Sequence, residues 1–512
     1  MPRTLPSVTR SLGASLLGAG WIAVLRLLMI PVYVRLLGVE AYGLVGFYVA
    51  VQATLQVLDL GLSTTMSRQI ARYSATADGA TARNFVRTVA TGYWLLGAIL
   101  GLTIAMAAPA IAADWLRTST LPQPVVRQAV TLMGVAVALE WPLTIYQGGL
   151  LGLQRIVALS TLNAAMATVV AGGALVALVF VSPTVTTLFF WFAIASALHT
   201  LLAMMLLWHS LPAGPARPRI DPALLRGVWR FAAGVTAIML TATVLSQIDK
   251  LLLSRLLPLE QLGYYTIASV AATGISAVVT PVFNVLFPRF SALVTTGATL
   301  QLRQLYHAGM QLLATLVAPL ATLMIFFAPE LLLAWTQNPL VTSAAAPLLR
   351  FLAFGTALSG LMFLPYAVQL AHAWTRLYLS VHVCFILVLA PLVTVLAPRY
   401  GSIVPAIAWA ALNVVWLVVA LPATHHRYLS GATRLWFTQD VLPPVLASLV
   451  PAVIGRGWMD LTVRTGAPSW TALASVVVCT AAASVIAGRC TRQWIMARVA
   501  RLPGLRRIAP RT

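Results

Sequence analysis

The chain has 512 residues, 60% of them hydrophobic and only 9% charged, with a mean hydropathy of +0.90. A soluble domain carries typically about 25% charged residues, so this composition excludes a soluble globule and predicts an all-α integral membrane protein with no large soluble domain. The formal charge of +22, from 33 basic and 11 acidic residues, is then read by the side of the membrane on which each arginine falls, and a nucleic-acid partner is not expected.

Apolar runs long enough to cross about 30 Å of hydrocarbon as helices recur along the chain. They predict fourteen spans, near residues 12–34, 41–63, 88–110, 128–150, 158–181, 186–208, 231–254, 263–286, 306–328, 346–368, 377–397, 402–422, 441–457 and 469–488. Arg3 and Arg10 before the first run resemble a signal peptide, but no small-residue cleavage pattern ends it and the run continues through Trp21 and Arg26, which predicts a retained first span. Spans 1 and 2 flank a turn, Arg35-Leu36-Leu37-Gly38-Val39-Glu40-Ala41-Tyr42-Gly43. It returns as Arg255-Leu256-Leu257-Pro258-Leu259-Glu260-Gln261-Leu262-Gly263, and Leu159-Ser160 returns as Leu379-Ser380, all at an offset of 220 residues. Self-similarity between two halves of a hydrophobic chain marks a transporter built from repeats, with its binding site between them.

The predicted organisation follows: an N-lobe of spans 1 to 6 over residues 1–209, a Pro/Arg-rich cytoplasmic linker over 210–230 with Pro212, Pro215, Pro218 and Pro222, and a C-lobe of spans 7 to 12 over 231–424. Spans 13 and 14, over 425–488, fall outside the duplication, and residues 489–512 form a basic cytoplasmic tail. Within that tail Trp494, Ile495, Val499 and Leu502 share one helical side, which suits either a helix lying on an anionic inner leaflet or an ordinary basic tail. An even span count puts both termini on one side. If that side is the cytoplasm, 23 arginines lie inside and 8 outside, with Arg26 and Lys250 within spans, as the positive-inside rule expects. Cys384, Cys479 and Cys490 show no paired spacing, so neither a disulfide framework nor a metal site is indicated, and no cofactor is expected.

Pro31 to Arg35, the Leu37-Gly38 turn with Tyr42-Gly43, and Asp59-Leu60-Gly61-Leu62 followed by Arg68 resemble the opening of bacterial polysaccharide flippases. These are the Wzx-type O-antigen and exopolysaccharide repeat-unit exporters of the multidrug/oligosaccharidyl-lipid/polysaccharide superfamily. Asp249 followed by Leu262-Gly263-Tyr264-Tyr265 resembles the start of that family's second half, and the similarity covers roughly residues 10–440. The resemblance implies a transporter and not an enzyme, in the bacterial inner membrane. It implies two six-span lobes around a cavity lined mainly by spans 1, 2, 7 and 8 that opens to each side in turn. It also implies a cargo of oligosaccharide on a polyprenyl pyrophosphate, moved from the inner to the outer leaflet, with membrane lipid and polysaccharide polymerase or export proteins as partners. Lipid II flippases share this plan and carry arginines on span 1, a pattern that Arg26 matches in position.

Arg26 lies roughly fifteen residues into span 1, at about 1.5 Å per residue deep in the bilayer, where an unpartnered charge costs at least about 2.5 to 3.5 kcal/mol. It shares a face with Ser11, Ser15, Ala19 and Ala23. Two readings stand: a guanidinium that binds the pyrophosphate through two oxygens, or a structural ion pair with an acid on another span. Lys250 ends a polar stripe of Thr236, Thr243, Ser246 and Lys250 and is a second candidate for the anionic or sugar part of the cargo. Asp249 either holds that lysine, pairs with Arg26, or reaches the interface. Asp59, near the cytoplasmic end of span 2, is a candidate for ion coupling or a local pair with Arg68. Glu140, beside Trp141 and Pro142, is the deepest acid and either takes up a coupling proton or stays neutral and hydrogen-bonded. His199, His307, His372 and His382 show no ligand spacing, so packing or interface roles are expected of them, and Gln147, Gln154 and Gln369 suit either sugar or helix ends.

Three rivals are weighed against the flippase. A membrane glycosyltransferase, polymerase or ligase needs acid catalysts and a long external loop, but only 11 acids occur and no Asp-x-Asp pair. A cation-coupled multidrug exporter needs membrane acids rather than Arg26. A major-facilitator carrier needs a Gly-x-x-x-Asp-Arg loop after span 2, which is absent.

Overall fold

The computed structural model describes residues 8–59, 61–75, 78–212, 218–222, 243–245, 247–372, 374, 376–464 and 470–487. The basic tail, Ser246 and most of predicted span 7 lie outside these residues. Helices dominate, and among the described residues the one β contact is an isolated parallel bridge between Arg117 and Pro258. Among the described residues eleven helices are long and apolar enough to cross a membrane; the apolar helices Val39–Leu55 and Leu473–Ala487 are shorter and fall on predicted spans 2 and 14.

The first half consists of α1 (Val8–Leu37), α2 (Val39–Leu55), α3 (Leu62–Ala75), α4 (Gly79–Ala110), α5 (Gln123–Glu140), α6 (Leu143–Gly152), α7 (Ile156–Val176) and α8 (Val185–Ser210). Several predicted spans break where the chain cannot continue a helix. Predicted span 2 ends as a 3-10 turn at Gln56–Asp59, and Gly61 adopts a left-handed φ of 70° before α3. Predicted span 4 breaks at Trp141–Pro142, where the proline has no N–H to donate. The Leu139 carbonyl beside that break accepts the Thr200 hydroxyl at 2.7 Å, which keeps a backbone oxygen satisfied away from water. Asp78 caps α4 by accepting the Thr81 N–H at 3.0 Å, and that bond holds its carboxyl below the usual value.

The second half reads α9 (Leu259–Thr273), α10 (Ser276–Thr295), α11 (Thr299–Phe326), α12 (Ala328–Thr336), α13 (Pro339–Leu361), α14 (Phe363–Ala371), α15 (Arg376–Tyr400) and α16 (Ile403–Tyr428). Helices that begin at Val39, Gly79, Leu143 and Ile156 have counterparts that begin at Leu259, Thr299, Phe363 and Arg376, each 220 residues on. The break inside predicted span 4 recurs inside predicted span 10 at Met362, with Pro365 in the first turn of α14, where no N–H is needed. Duplication is therefore written into helix boundaries as well as into the turn motif.

Contacts divide the chain into two compact units, Met1–Thr266 and Ile267–Thr512. The first is centred on Met66, Phe85, Val89, Tyr93, Trp141, Tyr146 and Leu207. Its α4 and α5 approach through glycine: a Cβ on Gly101 would lie 2.5 Å from the Gly134 carbonyl oxygen, and one on Gly97 2.8 Å from that of Ala138. Apolar tails solvate apolar helices as well as neighbouring helices do, so this kind of backbone approach is what holds helices together in a membrane. In the second unit, α17 (Leu442–Arg464) and α18 (Trp470–Ala487) pack on α11, sharing a core of Leu323, Phe327, Ala452, Met459 and Val476. Arg456 pairs with Glu330 at 2.5 Å, and the Ser484 hydroxyl donates to the Thr315 carbonyl at 2.9 Å.

Candidate functional site

The first unit gathers polar side chains around Glu140. α2 contributes Tyr48 and Gln52, one turn apart on one face, and α8 contributes Ser196 and Thr200 in the same way. Glu140 ends α5 at the Trp141–Pro142 break, so its carboxylate projects between these two helices. One oxygen, Oε2, accepts from Gln52 Nε2 at 2.6 Å, Ser196 Oγ at 3.2 Å and the Tyr48 hydroxyl at 3.4 Å. Phe189 and Phe192 pack on the Tyr48 ring at 5.5 and 6.1 Å. A second polar group adjoins on α8: Asn163 Oδ1 lies 3.1 Å from His199 Nε2 and accepts from Gln147 Nε2 at 3.2 Å. His199 and Gln147 thus share the Asn163 side-chain oxygen as a hydrogen-bond partner.

Arg26 is exposed on α1, with Ala19 and Ala23 also exposed along its face, while Gly18 and Trp21 face α7. The Trp21 indole donates to Thr168 at 2.9 Å and fixes which side of α1 is covered. Among the described residues Arg26 makes no ion pair, yet its charge acts on the Glu140 carboxylate. The cation and the acid therefore share one electrostatic environment without touching.

Around Lys250 the chain is helical over residues 247–256. The half-buried ammonium lies 3.4 Å from Gln247 Oε1, and Asp249 accepts the Lys250 backbone N–H at 2.8 Å and the Tyr265 hydroxyl. Asp249 thus engages Tyr265 and backbone, and among the described residues it forms an ion pair with neither Lys250 nor Arg26. Thr243 is half-buried, and its predicted partner in the stripe, Ser246, lies outside the described residues. Asp59 accepts from Ser63 Oγ at 2.7 Å and from the Tyr93 hydroxyl at 2.7 Å. It acts as a cap on α3 across the Gly61 turn.

A further group in the second unit escaped the sequence reading. Asp440, 1% exposed, sits in a wide helical turn, Trp436–Val441, and accepts from Gln311 Nε2 at 3.0 Å while lying 2.5 Å from His307 Nδ1. Next to it the Tyr306 hydroxyl and His425 Nε2 are 2.8 Å apart. The partners are 129 to 133 residues apart in sequence, so no local spacing announces them; an acid at the start of an apolar span was the available signal.

The described residues hold no group of three or more His, Cys, Asp or Glu side chains able to hold a metal ion. What the first-unit site offers is a cation without an ion pair among the described residues and an acid with three donors, arranged on helices whose ends and breaks are fixed by glycine and proline.

Solved structures that share this fold include membrane transporters. A structure described as lipid II flippase MurJ in an inward closed conformation matches with a TM-score of 0.70 at 12% identity, over 94% of this chain and 99% of that one. An inward-facing multidrug resistance MATE family transporter matches at 0.60 and 16% identity, over 80% and 96%, and a Vibrio cholerae MATE transporter at 0.57 and 14%, over 84% and 98%. No curated protein matches the sequence. A family model described as polysaccharide biosynthesis protein matches residues 8–294, more than half of the chain, and the chain belongs to the polysaccharide biosynthesis protein family.

Proposed function

We propose that the chain is a flippase that carries oligosaccharide repeat units on a polyprenyl pyrophosphate from the inner to the outer leaflet of a bacterial inner membrane, by alternating access, with both termini in the cytoplasm. Family membership supports a role in making polysaccharide, and the fold supports transport rather than enzymatic chemistry. The observation that carries the reading is Arg26, exposed about midway along α1 with no ion pair among the described residues. Such a charge is too costly to leave in hydrocarbon, so its exposure is to a wet path, and a planar guanidinium there suits a diphosphate. Lys250, with Thr243 and Ser246 on its stripe, adds charge and hydroxyls for the same head group. Glu140, in its nest of donors, is the candidate for proton coupling, with Asp59 and Asp249 in local structural bonds.

In cells that depend on this chain, Arg26→Ala stops surface polysaccharide while the protein stays inserted and abundant, and Arg26→Lys restores part of it. Polymer blots and quantitation of the chain in membranes read both. Normal polymer from the alanine variant removes Arg26 from the mechanism.

The multidrug reading keeps one specific support, the Glu140 cluster together with the likeness to MATE transporters.

A further inference from the structure

Chain that follows each lobe folds back on the third predicted span of that lobe, and it is held there differently in the two units. In the first unit linker residues meet the start of α4: Asn84 Oδ1 accepts the Arg219 N–H at 2.8 Å, Thr88 Oγ1 accepts the Asp221 N–H at 2.9 Å, and Arg83 Nε donates to the Pro212 carbonyl at 2.8 Å. No histidine or carboxylate takes part. In the second unit the stretch that leads into α17 meets the start of α11, and there a histidine and an acid make the joint. His307 Nδ1 lies 2.5 Å from Asp440 Oδ2, and Gln311 Nε2 donates to Oδ1 at 3.0 Å.

The joint is closed to solvent. Asp440 is 1% exposed, and two buried nitrogens beside it, His307 Nε2 and Trp436 Nε1, have no hydrogen-bond partner among the described residues. Other charged or titratable groups near the pair come from three places. On α11, Arg303 reaches to 3.8 Å from where a Cβ on Gly431 would lie, and the Tyr306 hydroxyl is 2.8 Å from His425 Nε2 at the end of α16. His425 Nδ1 is in turn 3.0 Å from Thr433 Oγ1, while His426, Arg427 and Arg434 are exposed. The described part of α18 carries no charged side chain. Among the described residues Asp440 has His307 as its ion-pair partner. With a proton on the ring the contact is an imidazolium–carboxylate pair; without it a buried carboxylate has lost its counter-charge, which is costly in an apolar surrounding.

His307, Gln311 and Thr315 follow one another at intervals of four along α11, and the Thr315 carbonyl accepts the Ser484 hydroxyl of α18 at 2.9 Å. Further along α17 the Arg456–Glu330 pair, which includes no histidine, is a second attachment. We propose that His307 and Asp440 form a proton-binding joint that governs how α17 and α18 sit on α11: with the proton the pair of helices is seated, and without it the Asp440 end loosens while the Arg456 end holds. Only contacts within the second unit are involved, so the joint stands or falls apart from the cargo. Histidine changes charge between about pH 5 and 8, and the seat therefore weakens as pH rises through that range.

The reporter is Ser484→Cys, at a site 0% exposed, in the purified full chain with Cys479 and Cys490 replaced by alanine and the exposed Cys384 kept as an internal standard. Labelling by N-ethylmaleimide is read on each peptide by mass spectrometry, and the ratio of the two removes the general rise of thiol reactivity with pH. From about pH 6 to about pH 8 the ratio of position 484 to Cys384 rises about tenfold, as expected where the seated form holds its proton about one pH unit more tightly. His307→Gln keeps a donor for Asp440 but takes up no proton, and Asp440→Asn keeps an acceptor without the charge; in each the ratio is level across that range. His425→Gln, which changes the neighbouring ring, leaves the rise intact. A level ratio with the native pair overturns the joint, as does a rise that survives in either His307→Gln or Asp440→Asn, or one that vanishes in His425→Gln. Thr65→Cys, at a 1% exposed site of the first unit, stays protected throughout. Labelling there in step with position 484 means general loosening and overturns the joint as well.

Discussion

At the scale of single residues, polar side chains in this protein are placed where the helical ladder is interrupted. Asp59 closes the 3-10 end of one segment and accepts from Ser63 and Tyr93 across the Gly61 turn. Removing such a cap costs about 0.5 to 2 kcal/mol, so Asp59→Ala lowers thermal stability in detergent, while Asp59→Asn, which keeps an acceptor, loses less. Equal losses from the two would mean that the charge and not the acceptor matters there. The sequence singled out Asp59 and offered a local pair with Arg68 on a continuing helix; the left-handed Gly61 was the overlooked signal, because it turns the chain before Arg68. Glu140 was legible because an acid next to Trp-Pro in an apolar run has few bland explanations. Its partners Tyr48, Gln52 and Ser196 were not, since each is an ordinary span residue until three helices bring them within hydrogen-bond distance.

At the scale of helices, the apolar runs located nearly every element, and proline and glycine decided how each is interrupted. Hydropathy sees neither, which is why predicted spans 2, 4, 8 and 10 read as single helices and are broken near Gly61, Pro142, Gly274 and Gly360. Helix pairing was equally silent in composition but present in glycine spacing. Gly97 and Gly101 on α4 lie against Ala138 and Gly134 on α5. Overfilling a close-packed contact typically costs about 1 to 3 kcal/mol, occasionally more, and this one is backbone on backbone. Gly101→Leu therefore destabilises the purified protein by at least that amount in a denaturation series. Gly92→Leu on the same helix, where a Cβ would meet nothing within 4 Å, leaves the midpoint unchanged. If both variants behave alike, α4 and α5 are held by something other than this approach.

At the scale of the whole chain, duplication was the most legible property: an offset of 220 read from one turn reappears in the starts of four helices. What duplication leaves open is which anionic or cationic cargo the transporter moves, because flippases and drug exporters share the fold. The two readings place the essential charge differently. A carrier of a pyrophosphate head group needs a fixed cation, whereas a cation-coupled drug exporter needs a membrane acid that exchanges its proton or ion with the drug. Arg26 and Glu140 separate the two because they influence each other without bonding, so each can be changed while the other keeps its contacts. In cells lacking the native gene, Arg26→Ala leaves tolerance to cationic dyes at the level given by the unaltered chain and abolishes surface polymer. On the proposed flippase reading, Glu140→Gln, which keeps an oxygen for Gln52 and Ser196, reduces polymer several-fold and does not abolish it, because losing the proposed coupling group slows turnover while Arg26 stays in place. Dye tolerance that disappears with Glu140→Gln and survives Arg26→Ala, in cells whose polymer is normal throughout, would assign the chain to drug export.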